Sequence, residues 1–389
     1  MIIETGADRL LVSSRRLAGR QYGLLAHGAS VTARQIPLHL ALRAAGYPPT
    51  ALFGPEHGYY GVEQDMVASR DHRDPWTGVP ILSLYGDGEH TLRPDPSAFT
   101  GLDLLVIDLQ DVGSRYYTYI ATAIWAAEVA LEQGVEVWVL DRPNPLGGDI
   151  VEGIGVGAAY HSFVGAFDTP VRHGLTLAEL TMLEAKRRHW DTSGLLCLAV
   201  RGWRRAHAWP ATHRPWIAPS PNMPTYTTAQ LYPGGCLIEA TTLSEGRGTT
   251  RPFQLIGAPG IDPPRLAAAL VDHPGVTAIP TYFKPQFQKH AGEVCGGVEL
   301  VVTEPAIFQP YRFGIHLLAT IARLTPDVFA WRAEPYEFVS DRPAIDLLTG
   351  GSACREAIET GEGLEEWIAS WEEAEMTFKE ERRDVLLYL

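Results

Sequence analysis

Several short stretches place ionisable side chains beside glycine or proline, which fix backbone shape and hold a neighbouring group in one place. Glu56 and His57 sit between Pro55 and Gly58. Asp108, Gln110 and Asp111 precede Gly113 and Arg115, and Asp141 and Arg142 precede Pro143 and Asn144. A partly desolvated carboxyl on a stiff turn keeps its proton and can pass it to a departing oxygen, so Glu56 is a candidate general acid, with His57 beside it in the catalytic set. By spacing alone, a carboxylate that caps the following backbone is an equal reading. Asp108 and Asp111 are candidates for a second carboxylate and for binding substrate hydroxyls. An aspartate–arginine pair that only holds the loop competes with that reading, and the same holds for Asp141 with Arg142. Asn144, set between two turns, points to a ligand contact. His173 precedes a predicted helix start, where an anion can be met, or it is an ordinary satisfied histidine. Glu245 and Arg247, in Ser244–Thr249 with two glycines, read as a loop laid against a ligand, with Arg247 as a carboxylate partner.

These residues need elements to carry them. Short apolar runs at Tyr22–Ala26, Ala51–Phe53, Pro80–Leu84, Leu104–Ile107, Val135–Leu140 and Leu195–Val200 read as strands. Between them, Thr32 is expected to cap a helix running toward Gly46. Ile120, Ile124, Ala127 and Leu131 form a helical stripe, and Thr176 with Glu179 makes a capping box. This alternation predicts a Rossmann-like, doubly wound parallel sheet in an α/β chain. Polar or ionisable groups follow four of the first five strands on one edge, where such sheets bind ligands. Trp209–Pro233, rich in proline and bulky rings, reads as ordered loop. Beyond it, a strand at Val298–Val302 and helices near Tyr311–Leu324 and Glu362–Lys379 suggest a smaller α+β domain. The expected division is residues 1–232 and 233–389.

Other chemistries lack their signatures. Gly153, Gly155 and Gly157 do not lie between a clear strand and helix, so they do not make a dinucleotide loop. The chain has no GxSxG elbow, P-loop or HExxH, and its 13 histidines show no metal-ligand spacing. The formal charge of −14 argues against nucleic acid and against anionic lipid as partners. The four cysteines are far apart, as isolated thiols in a reducing compartment are. The N-terminal segment has no apolar signal core and no run reaches membrane-spanning length, so the chain as written is expected to be cytoplasmic, subject to an export signal having been removed.

The strings FGPEHGYYG (53–61), SLYG (83–86), DLQDVGSRYYTYI (108–120), LDRPNPLGG (140–148), RHGLTLAEL (172–180), PSPNMP (219–224), LSEGRGTTRPF (243–253) and CGGVEL (295–300) occur in this order. Together they resemble the exo-β-N-acetylmuramidases of the NamZ type along nearly the whole chain. The resemblance implies a Rossmann-like domain paired with a smaller C-terminal domain, a cleft between them, and release of terminal N-acetylmuramic acid from the non-reducing end of glycan fragments. It makes Glu56 the catalytic glutamate. The second catalytic element is then Asp108, Asp111 or the substrate's own acetamido group. The lactyl carboxylate of muramic acid calls for a cation, from Arg247, Arg115 or Arg142. Asn222 and Asn144 suit hydroxyl or amide recognition, and Tyr116, Tyr117 and Tyr226 suit stacking on a sugar face. Gln110, His173 and Glu245 complete the expected substrate-binding set, with no metal and no organic cofactor. Two departures bear on substrate length or aglycone preference: Tyr60 stands where the family commonly has arginine, and His27 lies in Leu25–Ser30 where an asparagine-containing string is common. Many relatives also carry an export signal. A non-catalytic muropeptide-binding protein using the same cleft is the alternative.

Overall fold

The computed structural model describes residues 3–64 and 66–389; Met1 and Ile2, at the head of the segment read for a signal core, and Asp65 lie outside them. Strands β1 (Tyr22–Ala26), β2 (Ala51–Gly54), β3 (His72–Arg73), β4 (Pro80–Ser83), β5 (Leu104–Asp108), β6 (Glu136–Leu140) and β7 (Leu195–Leu198) form one sheet in the order β3-β4-β2-β1-β5-β6-β7. All neighbours are parallel except β3 with β4. β1 and β5 are wholly buried, as continuous apolar runs covered on both faces must be. The chain builds outward from β1 through β2 to β4, then returns to the other side of β1 with β5. The order therefore reverses beside β1, which is where a doubly wound sheet opens a crevice.

The helices are α1 (Gly6–Val12), α2 (Leu38–Ala44), α3 (Tyr119–Glu132), α4 (Leu177–Arg187) and α5 (Tyr226–Gly235). α2 begins later than the helix expected from Thr32. Proline disfavours helical geometry in the residue before it, so Pro37 holds Ile36 out of the helix. Thr32 instead accepts from the backbone N–H groups of Arg34 and Ile36, both at 3.3 Å. α3 is buried on more than one stripe: Ala123, Ala126 and Ala127 join the core of the sheet, while Ile120 and Ile124 join a second cluster with Leu180 and Phe378. α4 starts on the expected capping box, Thr176 accepting from Glu179 N and Glu179 from Thr176 N. The aromatic-rich stretch after Trp209 is not all loop, because Thr225 caps α5 by accepting from Thr228 N at 3.2 Å.

Strands β8 (Leu255–Ala258), β9 (Val276–Phe283) and β10 (Cys295–Val302) form a separate antiparallel sheet, ordered β8-β10-β9. α6 (Pro263–Ala269) packs on it, and α7 (Pro310–Leu324) packs on α5 and α6. Four short helices follow: α8 (Ala344–Thr349), α9 (Ala353–Thr360), α10 (Leu364–Ala369) and α11 (Trp371–Glu381). The last two replace the single helix expected over Glu362–Lys379; they part at Ser370, whose hydroxyl donates back to Trp367 O at 2.6 Å. The two sheets share one apolar core, in which Leu25, Ile107, Tyr116 and Tyr117 are continuous with Tyr232, Phe253, Ile256 and Val298. The chain end returns to the first sheet, where Tyr388 donates to Asp141 and accepts from Val200 N.

Candidate active site

Glu56 follows β2 on a turn closed by Gly58 N donating to Pro55 O at 3.0 Å. The chain doubles back on itself there: a Cβ on Gly54 would meet Tyr59 N at 2.6 Å. His57 has φ +68°, a left-handed conformation uncommon outside glycine that surrounding structure must enforce. Glu56 is 4% exposed. Its Oε2 accepts from Thr118 Oγ1 at 2.6 Å, and its Oε1 accepts from Met66 N at 3.4 Å. His57 Nε2 stands 4.0 Å from Oε1. The other ring nitrogen, Nδ1, donates to Glu63 O at 3.0 Å, so in the neutral ring the Nε2 lone pair is turned toward Glu56.

Thr118 comes from the segment between β5 and α3, two residues after Tyr116. Tyr116 anchors its hydroxyl on Pro233 O in α5 at 2.9 Å. The Tyr117 hydroxyl is buried beside Ser220 and Tyr119. Burial raises its pKa, outweighing the opposing pull of Ser220 and Tyr119, so the phenol keeps its proton and can donate to a ligand. Tyr119 itself donates to Pro219 O at 2.8 Å.

The second sheet's side supplies the opposite wall. Tyr232 comes from α5, Glu239 from the turn Cys236–Ala240, Arg247 and Phe253 from the loop before β8, and Tyr336 and Glu337 from the segment before α8. Arg247 Nη2 donates to Glu239 Oε1 at 2.6 Å, its Nε lies 3.3 Å from Glu245 Oε1, and its guanidinium rests 5.2 Å above the Phe253 ring. Tyr336 donates to Glu239 Oε2 at 2.8 Å. Lys289 Nζ donates to Glu245 Oε2 and to the carbonyls of Ile238 and Leu243, all at 3.0 Å. Burial by itself pushes the Glu245 carboxyl up; Lys289 and Arg247 outweigh it and hold it below its ordinary range. Ser220, Asn222 and Met223 close the rim, Asn222 donating to Gln64 Oε1 at 2.9 Å. Between these walls lies a narrow pocket whose space, the open solvent at its mouth included, is about 470 Å³.

Of the residues expected from sequence, Glu56, His57, Tyr116, Tyr117, Asn222 and Arg247 line this pocket, with Glu245 directly behind Arg247. Apart from Tyr226, the remainder are buried outside its lining, in a layer of their own. Asp108 takes both Arg142 Nε at 2.6 Å and Nη2 at 2.9 Å, and is fully buried. Arg115 is spent on the carbonyls of Ile154, Thr169 and Leu348 at 2.6–2.7 Å. Gln110 donates to Asp111 O and Pro143 O, and Asn144 bridges Leu175 O and Leu146 N. Asp111 accepts from Gly113 N at 2.7 Å and faces His173 Nε2 at 3.5 Å; its Oδ1 is buried without a hydrogen-bond partner. Tyr226 lines a different depression, with Arg172 and Phe308. His27 accepts from Gln110 N at 2.8 Å, and burial, then the Arg142 charge, push its pKa down to about 3. Tyr60 turns its hydroxyl to Asp74.

Thr118, Ser220, Tyr232, Glu239, Phe253, Tyr336 and Glu337 were not singled out from sequence. Thr118 and Phe253 lie inside strings already noted, and Ser220 beside Asn222. Glu239, Tyr336 and Glu337 carry no local pattern. Among the described residues, no three histidine, cysteine, aspartate or glutamate side chains come together as a metal-holding group.

A buried carboxyl at the carboxyl edge of a doubly wound sheet, beside aromatic walls, fits a glycoside hydrolase on an α/β framework. The model of the exo-β-N-acetylmuramidase NamZ N-terminal domain matches residues 22–227, and that of the NamZ C-terminal domain matches residues 230–388. The chain belongs to the NamZ exo-β-N-acetylmuramidase family. It is 40% identical over 390 aligned residues to the peptidoglycan β-N-acetylmuramidase NamZ of Bacillus subtilis (strain 168), covering 99% of this chain and 91% of that protein. It is also similar to the crystal structures of two DUF1343-family proteins from Bacteroides fragilis. One is 29% identical with a TM-score of 0.87, the other 26% identical with a TM-score of 0.75; each match covers 100% of this chain and 99% of the other.

Proposed function

We propose that this chain removes terminal N-acetylmuramic acid from the non-reducing end of peptidoglycan fragments, in the cleft between residues 1–232 and 233–389. The observation that carries the mechanism is Glu56, buried in the pocket on a strained turn and bonded to Thr118. Glu56 is the general acid: it protonates the glycosidic oxygen as the bond to the anomeric carbon breaks. Tyr116, Tyr117, Tyr232 and Tyr336 face the sugar, and Arg247 meets the lactyl carboxylate. Asp111, with an oxygen free of hydrogen bonds, suits the second catalytic role better than Asp108, whose two oxygens are held by Arg142. The substrate's acetamido group is the other source of that second function.

The test is turnover of an aryl β-N-acetylmuramide beside the matching glucosaminide. The muramide is expected to react far faster, because its lactyl carboxylate gives it a charge-assisted contact with Arg247 that the glucosaminide lacks. Equal rates overturn the assignment of the lactyl group. Tight binding without turnover of either substrate makes the chain a muropeptide-binding protein.

A further inference from the structure

Thr118 occupies the N-cap position of α3, yet its side chain makes no capping bond, and its backbone is already helical at φ −62° and ψ −11°. Threonine at this position ordinarily accepts from a first-turn N–H. Three other threonines here do so: Thr5, Thr176 and Thr225 all cap their helices through their hydroxyls. The Thr118 hydroxyl reaches instead across 62 residues of sequence to Glu56 Oε2 at 2.6 Å, in buried surroundings. Those three cap from extended backbone; Thr118, already helical, has its hydroxyl free for the carboxyl that the proposed function makes the acid.

We propose that Thr118 is the positioning residue that decides which oxygen of Glu56 carries the transferable proton. This inference rests on the role given to Glu56 above. A hydroxyl has one proton to give, and here it goes to Oε2. That leaves Oε1 to carry the acidic proton, with Met66 N at 3.4 Å and His57 Nε2 at 4.0 Å as its neighbours. During the reaction the proton moves from Oε1 to the glycosidic oxygen. The bond from that oxygen to the anomeric carbon breaks, its electron pair stays on the oxygen, which leaves as a hydroxyl, and the anomeric carbon bonds to water, directly or after the acetamido oxygen or Asp111 has held it. Glu56 is then a carboxylate, and the Thr118 O–H already points at the oxygen that shares the new charge. Thr118 therefore orients the acid before transfer and stabilises its conjugate base afterwards, without touching the reacting atoms.

The experiment compares Thr118→Val, Thr118→Ser and Glu56→Gln on two substrates: a disaccharide with N-acetylmuramic acid at its non-reducing end, and an aryl β-N-acetylmuramide. Valine keeps the shape and removes the donor. Thr118→Val is expected to lower kcat on the disaccharide roughly 10–100-fold, the range that misplacement of a reacting group produces, with KM changed by no more than about 2-fold. The loss is smaller on the aryl substrate, whose leaving group needs less protonation. Thr118→Ser restores the donor and recovers kcat to within about 3-fold. The ratio of the two substrates within one preparation does not depend on how much of it is folded. The proposal is overturned if Thr118→Val leaves kcat unchanged, if serine and valine lose equally, or if both substrates fall by the same factor. Glu56→Gln separates the two ideas. If it retains activity on the disaccharide, the acid itself was misassigned. If it loses activity while Thr118→Val does not, only the role of Thr118 fails.

Discussion

The Glu56 pocket and the buried Asp108–Arg142 layer stand at the same edge of the same sheet and are built from the same residue types, but they meet opposite fates. Asp108 gives both oxygens to one guanidinium, and Arg115 gives its N–H groups to three carbonyls. The Arg115 Nε is left without a hydrogen-bond partner, but it is buried away from the pocket. Glu56 has one firm partner, Thr118, and an oxygen with only a long contact to Met66. A charged residue at the ligand-binding edge of a parallel sheet is therefore not by itself a site residue. The buried layer holds the loops still, and the pocket uses that stillness to present a carboxyl, a phenol and a guanidinium to a cavity. Arg247 lies between the two cases: it faces the cavity, but Glu239 and Glu245 fix its direction from behind.

The contrast predicts different failures for substitutions in the two layers. The largest effect is expected from Glu56→Gln, which keeps the shape and cannot give a proton. Activity on a natural disaccharide falls by about 10²–10⁴-fold, less on an aryl muramide, while thermal unfolding hardly changes. Near-normal turnover would return Glu56 to the role of a turn residue and erase the distinction. Next, Arg142→Met leaves the Asp108 carboxylate buried without its partner and is expected to destabilise the fold by about 3–5 kcal/mol, read by urea unfolding. The double variant Asp108→Leu/Arg142→Met should recover much of that loss, because it removes the stranded charge as well. A single variant as stable as the parent protein would show that the layer is not structural.

A smaller effect is expected for Arg247→Lys, which keeps the charge and loses the planar fork. The preference for muramide over glucosaminide falls about 10-fold, with stability reduced by less than in Arg142→Met. An unchanged preference would move lactyl recognition elsewhere. The smallest effect concerns pH. Burial first, and the neighbouring Glu179 charge after it, raise Asp141 to about 7, and burial raises Glu152 to about 7. Both folded-state values lie above those of the unfolded chain, so the stabilisation is full at low pH and is lost as pH rises through 7. His27 acts in the opposite sense, but only below its unfolded value of 6.5. Between pH 6.5 and 8 the carboxyls act unopposed by His27, and stability is expected to fall by on the order of 1 kcal/mol, or roughly 1 °C in Tm for a chain of this length. A Tm that rises over this interval would contradict the burial of these two groups.

Much of the framework was legible in the residues because it is local. The continuous apolar run 104–107 is a strand covered on both faces, and the Thr176–Glu179 capping box starts its helix where its spacing says. The turn at Glu56 was equally legible, since Pro55 and Gly58 act on their immediate neighbours. The sequence by itself thus determined the parallel sheet, the edge on which ligand chemistry is possible, and the strings that mark the family. Tertiary structure decided which of the charged residues at that edge are used. Asp108 is silenced by a residue 34 positions away, Glu56 is oriented by one 62 positions away, and Glu239 and Tyr336 reach the pocket from the second sheet's side with no pattern to announce them. Periodicity and turn chemistry act over a few residues, whereas the partner of a buried charge is set by which distant segments pack against it, and that is known only once the chain has folded.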